Sequence, residues 1–398
     1  MPKAVRPARP IRSGHYPAKE LCSQCGLCDT SYVRHVRQAC AFLNQQFSHL
    51  EAQVHGHSRS PDPQAPATDT DYFGVHQAMW TVRKRDPIPG AQWTGIVTTL
   101  GMTLLERGIV EGVVCVQADP QDRLAPRPIL ATRPQEVLAA RVNKPTLSPN
   151  LSVLDLVRQA GMKRLLVIGV GCQIQALRAV EQELGLEKLY VLGTPCTDNV
   201  TRAGLQKFLE TSSRSPQTVV HYEFMQDYHV HFRHEDGSIE KVPFFGLNTK
   251  ELKDVFAPSC LSCFDYVNGL ADLVVGYMGS PFGWQWLVVR NGRGQEMLDQ
   301  VKDQLEFRPV MSRGDRRGAV QQGITAYDQA LTLPMWLARM MTALVSAVGP
   351  QGLEYARFSI DSHFTRNYLY VKRHYPHKLA SHVPAFVQRI IRPYQLPQ

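Results

Sequence analysis

Nine cysteines lie along 398 residues, and eight of them fall into patterns that could do chemistry. Cys22, Cys25 and Cys28 stand at C-x2-C-x2-C spacing, with Gly26 inside the run and Cys40 a short way downstream. Three thiolates on one tight turn, with a glycine permitting close approach, are how a polypeptide wraps a cubane iron–sulfur cluster. The spacing is that of the first three cysteines of a bacterial ferredoxin run. A ferredoxin places its fourth cysteine three residues on and follows it with proline, whereas here Ala41 follows a more distant Cys40. C-x2-C also opens zinc sites, but three close cysteines with no histidine at finger spacing favour iron–sulfur. A disulfide framework suits neither the length of the chain nor its lack of a secretory signal.

Cys172 and Cys196 each follow a short apolar run, residues 164–169 and 189–193, and the pattern between them predicts a helix over 174–184. Two such runs joined by a helix predict a parallel βαβ unit. Neighbouring strands would bring the two cysteines together at the carboxyl edge of the sheet, where open α/β sheets bind ligands. Cys260 and Cys263 form a second C-x2-C, with Pro258 before and Asp265 after. The expectation is that Cys22, Cys25, Cys28 and Cys40 hold one four-iron cluster and Cys172, Cys196, Cys260 and Cys263 a second. Cys115 sits in the apolar run 112–116 and reads as a core residue.

Clusters move single electrons, and a flavin converts them to pairs. No G-x-G-x-x-G opens a βα unit, so a Rossmann dinucleotide fold is not expected. The candidate flavin contact is residues 92–99, where Thr94, Gly95 and Thr98 begin a helix. Gly95 lets backbone approach a phosphate, the threonines offer hydroxyls, and a helix N-terminus favours an anion. Threonine and glycine are equally ordinary helix caps.

The elements that must position these groups can be read in outline. Helical spacing covers 94–106, and strands are expected at 110–117, 272–277 and 284–290. Thr132 and Gln135 are spaced as a capping box before a helix at 136–141, and further helices are expected at 40–50, from Ser152 to Gly161, and from Gln295. Runs at 219–224, 228–232 and 239–242 alternate as strands around a hairpin turn at 235–238, which puts His229 and His231 on one face as packing or surface residues. Residues 51–71 are polar and proline-bearing and read as a loop or linker.

The composition, 43% hydrophobic and 20% charged, is that of a soluble globular protein with a large core and two or three domains. The longest apolar stretch, 331–348, contains Pro334 and Arg339 and reads as a buried or interfacial helix rather than a membrane span. Residues 1–15 are basic and proline-rich without an apolar core, so they predict a tail and a cytoplasmic location. The net charge of +9 comes without a helix-turn-helix, zinc-finger or ribonucleoprotein motif, so nucleic acid is not an expected partner. An acidic electron donor steered by opposite charge suits it better.

Taken together, Cys22-x2-Cys25-Gly26-x-Cys28, Thr94-Gly95-x2-Thr98, Gly169-x2-Cys172-Gln173-x2-Ala176-Leu177, Gly193-Thr194-Pro195-Cys196 and Cys260-x2-Cys263-x-Asp265 resemble the coenzyme F420 hydrogenase/dehydrogenase beta-subunit family. Gly276-Tyr277-Met278-Gly279, Trp284-Gln285-Trp286 and Arg366-Asn367-Tyr368-Leu369-Tyr370-Val371 resemble its pigment-reductase branch. Two departures are Gly171, where the family often has proline, and Tyr277, where aspartate is common. The resemblance implies FAD, two [4Fe-4S] clusters and electrons from reduced ferredoxin, with Thr94, Gly95, Thr98 and Lys144 beside the flavin and the eight cysteines as ligands. It implies reduction of the C8 vinyl group of a 3,8-divinyl (proto)chlorophyllide in chlorophyll biosynthesis. Reduction of a 7-hydroxymethyl chlorophyll a, or a non-catalytic electron-transfer subunit of a hydrogenase-like complex, are the alternatives. A planar pigment calls for an aromatic cleft, for which Phe282, Trp284 and Trp286 are candidates, packing in the core being the other reading. The setting implied is the cyanobacterial cytosol or the periphery of the thylakoid membrane, with a homo-oligomer left open.

The expected class is α/β. A disordered tail (1–20) precedes a ferredoxin-like iron–sulfur segment with its linker (21–71) and a central α/β flavin-binding domain with parallel strands (72–214). An α+β segment carrying the later cysteines (215–325) and a C-terminal helical extension (326–398) complete the chain.

Overall fold

The computed structural model describes residues 16–252, 254–327 and 333–397. Residues 1–15 of the expected tail (1–20) lie outside them, and its end is ordered, with Lys19 and Glu20 in a 3-10 turn at Lys19–Leu21. Strands β1 (Ala78–Lys84), β2 (Gly112–Ala118), β3 (Pro126–Ala131), β4 (Arg164–Gly169) and β5 (Lys188–Gly193) are followed by β6 (Val219–Phe224), β7 (His229–His234) and β8 (Ile239–Pro243). β9 (Leu273–Gly276), β10 (Gln285–Val289) and β11 (Leu305–Arg308) come next, and β12 (Ser312–Arg313) and β13 (Gln351–Gly352) pair as a small antiparallel ribbon. One eight-stranded sheet runs in the order β11-β1-β10-β9-β5-β4-β2-β3, and β6–β8 form a separate antiparallel sheet. Its centre, β2-β4-β5-β9, is parallel, and antiparallel strands flank it on both sides. The chain is therefore α/β, with a mixed rather than purely parallel sheet.

The parallel centre follows from its sequence. In β4, Leu165 and Val167 join the core on one side of the sheet while Leu166 joins the core on the other. Burial on both faces is why the strand reads as a continuous apolar run. The helix Gly171–Ala179 covers the first side through Ile174 and Leu177. The helix Ile96–Glu106 covers the second through Ile96, Leu100 and Leu104, all fully buried. Burying each of these side chains stabilises the fold by about 1.5–3 kcal/mol.

Most expected elements form, with instructive shifts. The helix expected at 40–50 is instead Phe47–His55, because Cys40 ends a short turn at Val36–Ala39 in extended geometry. The helix expected at 136–141 begins at Pro134, and its cap is Glu136 rather than Gln135. The Glu136 carboxylate accepts the Thr132 and Arg133 N–H groups at 2.9 and 3.2 Å, in place of the expected Thr132–Gln135 pair. His229 and His231 both face Asp227, with His231 Nε2 2.8 Å from its carboxylate, so they pack as expected.

The C-terminal helices fold back onto the chain. Leu353–His374 places Ile360, Phe364 and Val371 in the main core. Arg389, on Ala385–Ile391, donates from Nε to the Asp71 carboxylate at 3.1 Å, both side chains being buried.

Candidate functional site

The first three cysteines are held by 3-10 turns at Lys19–Leu21 and Leu27–Asp29. Gly26 adopts φ +94°, and a β-carbon there would lie 2.6 Å from Pro149 O and Ser152 N. The cysteine loop therefore docks on residues 149–152 backbone to backbone, with Leu151 N–H donating to Cys25 O at 2.9 Å. Asp155 secures the other side, accepting from Ser31 N–H and Oγ–H. Burial pushes the Cys28 thiol up to about 12, and the charges of Cys22 and Cys40 add to it. Cys25 is raised well above the ordinary range by burial, with Cys172, Cys40 and Cys28 as its charged neighbours.

The second group is assembled from afar. β4 and β5 pair in parallel with Gly169 opposite Gly193, so Cys172 and Cys196 leave the sheet side by side. The Cys260–Ser262 turn brings Cys260 and Cys263 to them, and all four line one hollow. Cys196 is raised well above the usual thiol range by burial and then by the charges of Cys260, Cys172 and Cys263. Asn199 N–H donates to Cys260 Sγ at 3.3 Å. The turn itself is braced from the C-terminal helix: Asn367 Nδ2 donates to Cys260 O at 2.8 Å and to Cys263 O at 2.7 Å. Gly171 packs beside this group, where a β-carbon would meet Asp265 Oδ2 at 2.5 Å.

The donor sets suit iron–sulfur clusters. Buried thiols that resist ionisation become thiolates when a cation neutralises them. Among the described residues, no three His, Cys, Asp or Glu side chains close in as the ligands of a single ion would. A four-iron cubane holds its thiolates further apart than one ion does. Cys172 also feels the charge of Cys40, so the two groups adjoin through it. Cys115 is buried in the core with Val113 and Leu166, as expected, and it also borders the large cavity described next.

A cavity of about 890 Å³ opens beside the second group, and Cys196 lines both spaces. Its size falls at the upper end of ligand pockets. Gly95 and Thr98 lie in its wall, at the start of the Ile96–Glu106 helix. Gly95 takes φ +85° with its Cα against Ile88 and Ala91, leaving a helix N-terminus open to a phosphate. Lys144 lines the cavity, but its ammonium donates to Ala140, Arg141 and Val142 carbonyls at 2.7–3.1 Å, which uses all three donors. Burial lowers it to about 8. Arg141, unmarked in the sequence, adds a second cation to that wall. Thr94 serves to tie strands and helix together, since its hydroxyl accepts Lys84 N–H at 3.1 Å and donates to Gln285 Oε1 at 3.0 Å. The cavity wall thus has a helix terminus, a hydroxyl and the Arg141 cation, which fit a phosphate-bearing flavin.

The aromatic lining differs from expectation. Phe282 is exposed, Trp284 is buried beneath the Arg83 and Arg308 guanidinium groups, and Trp286 packs on Phe73. Trp93, Tyr222, Phe244, Tyr277, Tyr355 and Phe358 line the cavity instead. Trp93 and Tyr277 stack at 5.0 Å with planes 5° apart. Period-two alternation within β10 put Trp286 on a core face, and no local pattern marked residues brought together from five segments. Glu223 was also missed. Its carboxyl lies in the cavity wall, its Oε1 is buried without a partner, and burial pushes it up to about 7. Trp93 and Val142, both in the wall, hold φ of +56° and +76°. Such backbone costs a non-glycine residue of order 1–3 kcal/mol and collects at functional sites.

Residues 79–155 match the N-terminal part of the coenzyme F420 hydrogenase/dehydrogenase beta subunit, and residues 162–313 match its C-terminal part. The chain belongs to that family. A 67% identical relative from Nostoc sp. aligns with 100% of this chain and 98% of its own length. The rice 7-hydroxymethyl chlorophyll a reductase is 52% identical, over 98% of this chain and 85% of that protein. The coenzyme F420 hydrogenase subunit beta of Methanococcus voltae is 29% identical over 58% of this chain and 82% of its own. Among solved structures, a chain of the F420-reducing [NiFe] hydrogenase complex of Methanosarcina barkeri superposes with a TM-score of 0.54 at 27% identity, covering 60% of this chain and 84% of that one. The family match ends before Leu353–His374, so the helix that braces Cys260 and Cys263 and supplies Tyr355 and Phe358 to the cavity lies beyond it.

Proposed function

We propose that this chain, an oxidoreductase, is a ferredoxin-dependent reductase of a chlorophyll-type pigment, reducing the C8 vinyl group of a 3,8-divinyl (proto)chlorophyllide a to ethyl. The observation that carries the reading is that Cys196 lines both the hollow of the second cysteine group and the large cavity. An electron carrier held by those cysteines would sit against whatever fills the cavity. The groups in question are two [4Fe-4S] clusters, which supply one-electron transfer, and FAD, which pairs electrons. The eight cysteines would hold the clusters, and Gly95, Thr98, Arg141 and the Lys144 turn would bind the flavin phosphates, with Thr94 steadying that turn from behind.

The remaining roles fall to the chain's own side chains. Trp93, Tyr222, Phe244, Tyr277, Tyr355 and Phe358 give the cavity the flat aromatic surfaces a tetrapyrrole needs. Glu223 holds a proton near neutrality at its buried carboxyl and would donate it to the pigment. Reduced ferredoxin would dock at the half-buried first group, where Lys378 stands beside Cys40 and Arg37 is exposed. The work would be done in the cyanobacterial cytosol or at a membrane face.

The name of the rice relative favours a second reading at the same site. A vinyl group takes two electrons and two protons to become ethyl. A 7-hydroxymethyl group takes the same two electrons and two protons to become methyl and releases water. Anaerobic protein given reduced ferredoxin and each pigment in parallel distinguishes them. Monovinyl product alone supports the vinyl reading, and chlorophyll a alone transfers the chain to the second. If a protein with intact chromophores consumes neither, the chain is an electron-transfer subunit.

Glu223→Gln sharpens either reading. Turnover should fall about 10²-fold or more with little change in KM. Wild-type activity should decline as pH rises through about 7, where the donor loses its proton, and the variant should lack that limb.

A further inference from the structure

The helix Met335–Val348 presents its apolar side outward. Ala338 and Thr342 are its buried positions, whereas Trp336, Met340, Leu344 and Val348 are 65%, 62%, 63% and 69% exposed. Four-residue spacing sets those side chains in a single row along the helix. Met335, Ala343 and Ala347 are exposed as well, so Arg339 is the one charged residue on that face. No carboxylate occurs anywhere in the helix. A contiguous apolar surface of this kind marks an interaction site.

Three features select what covers it. Arg339 carries an apolar stem with a charge at its tip, and Trp336 has an amphipathic ring, which is the pairing found where a helix lies in a lipid headgroup layer. The absence of acids from the helix and the net charge of +9 on the chain complement an anionic surface. The helix also rests on the Phe244–Gly246 turn, where Met335 Cε lies 3.1 Å from the position of a Gly246 β-carbon. Phe244 and Leu247 line the large cavity, so the apolar row and the cavity wall are joined through one turn. Among the described residues no helix is long and apolar enough to cross a bilayer, so this one would lie in its plane.

We infer that the Met335–Val348 helix docks the protein on an anionic lipid bilayer, beside the cavity wall through which an apolar pigment would enter from the lipid. The entry route rests on the reductase reading, and the docking does not. The test is co-sedimentation of the full chain with phosphatidylcholine vesicles, with and without phosphatidylglycerol. Wild type should pellet with the anionic vesicles, and Arg339→Glu should weaken that preference. A triple variant, Trp336→Ser, Met340→Ser and Leu344→Ser, should lose at least about tenfold in partitioning while keeping its melting temperature, since these side chains touch water in the free protein. Its turnover of detergent-dispersed pigment should match wild type. Wild type that stays in the supernatant, or a triple variant that binds as wild type does, overturns the inference. A triple variant that instead changes the mass of the protein in sedimentation velocity also overturns it and assigns the face to a second copy. Vesicle binding needs no pigment, so a failed reductase assay leaves this result readable on its own.

Discussion

Cys22, Cys25 and Cys28 are presented by one short run of chain, whereas Cys172, Cys196 and the Cys260–Cys263 pair come from three separate segments meeting at the carboxyl edge of the sheet. The first group depends on local turns and on Gly26 lying flat against residues 149–152. The second depends on the register of β4 with β5 and on Asn367, which reaches in from a helix the family match does not include. A locally wound site can sit near the surface, where a protein donor reaches it. A site gathered from distant segments is fixed by the core and can be set against a cavity wall, as Cys196 is.

The largest expected effect separates the two groups functionally. Cys196→Ser should abolish pigment turnover with every reductant and lower bound iron from about eight to about four per chain. Cys28→Ser should lose the same amount of iron and all ferredoxin-driven turnover, yet retain part of the turnover driven by a small chemical reductant. Equal loss with both reductants would erase the distinction between an entry group and a cavity-side group. Next in size is Asn367→Ala, which takes the Asn367 donor from Cys260 O and leaves Cys263 O with His363 Nε2 at 3.2 Å, at a cost of about 1–3 kcal/mol. It should lower the melting temperature and speed iron release from the second group alone, read by chelator trapping in a Cys28→Ser background. The smallest effect is expected from Cys115→Ala. Iron content should not change, and stability should fall by about 1 kcal/mol, the loss of a small core side chain.

The same contrast governs how much could be read from sequence. The C-x2-C-x2-C run was legible because its three thiols lie within one short run of chain, and spacing alone carries that geometry. β4 and β5 were legible because burial on both faces leaves an unbroken apolar run, and the pairing of Cys172 with Cys196 followed from the parallel register. The Phe47–His55 helix was misplaced because the extended geometry at Cys40 has no strong local signal. The cap of Pro134–Ala139 was misassigned because Glu136 competes with Gln135 for the same N–H groups and, being charged, accepts them more strongly.

By itself, the sequence determined the α/β class, the eight thiols set apart from Cys115, and the helix start at Gly95, since each is written in residue types at short range. Only the tertiary structure decided which aromatics face the cavity, that Lys144 is spent on backbone carbonyls, that Glu223 is a buried acid, and that Leu353–His374 braces the second cysteine group. Those properties arise from contacts between residues far apart in the chain, where burial and the geometry of the partner, rather than the identity of the residue, set the chemistry.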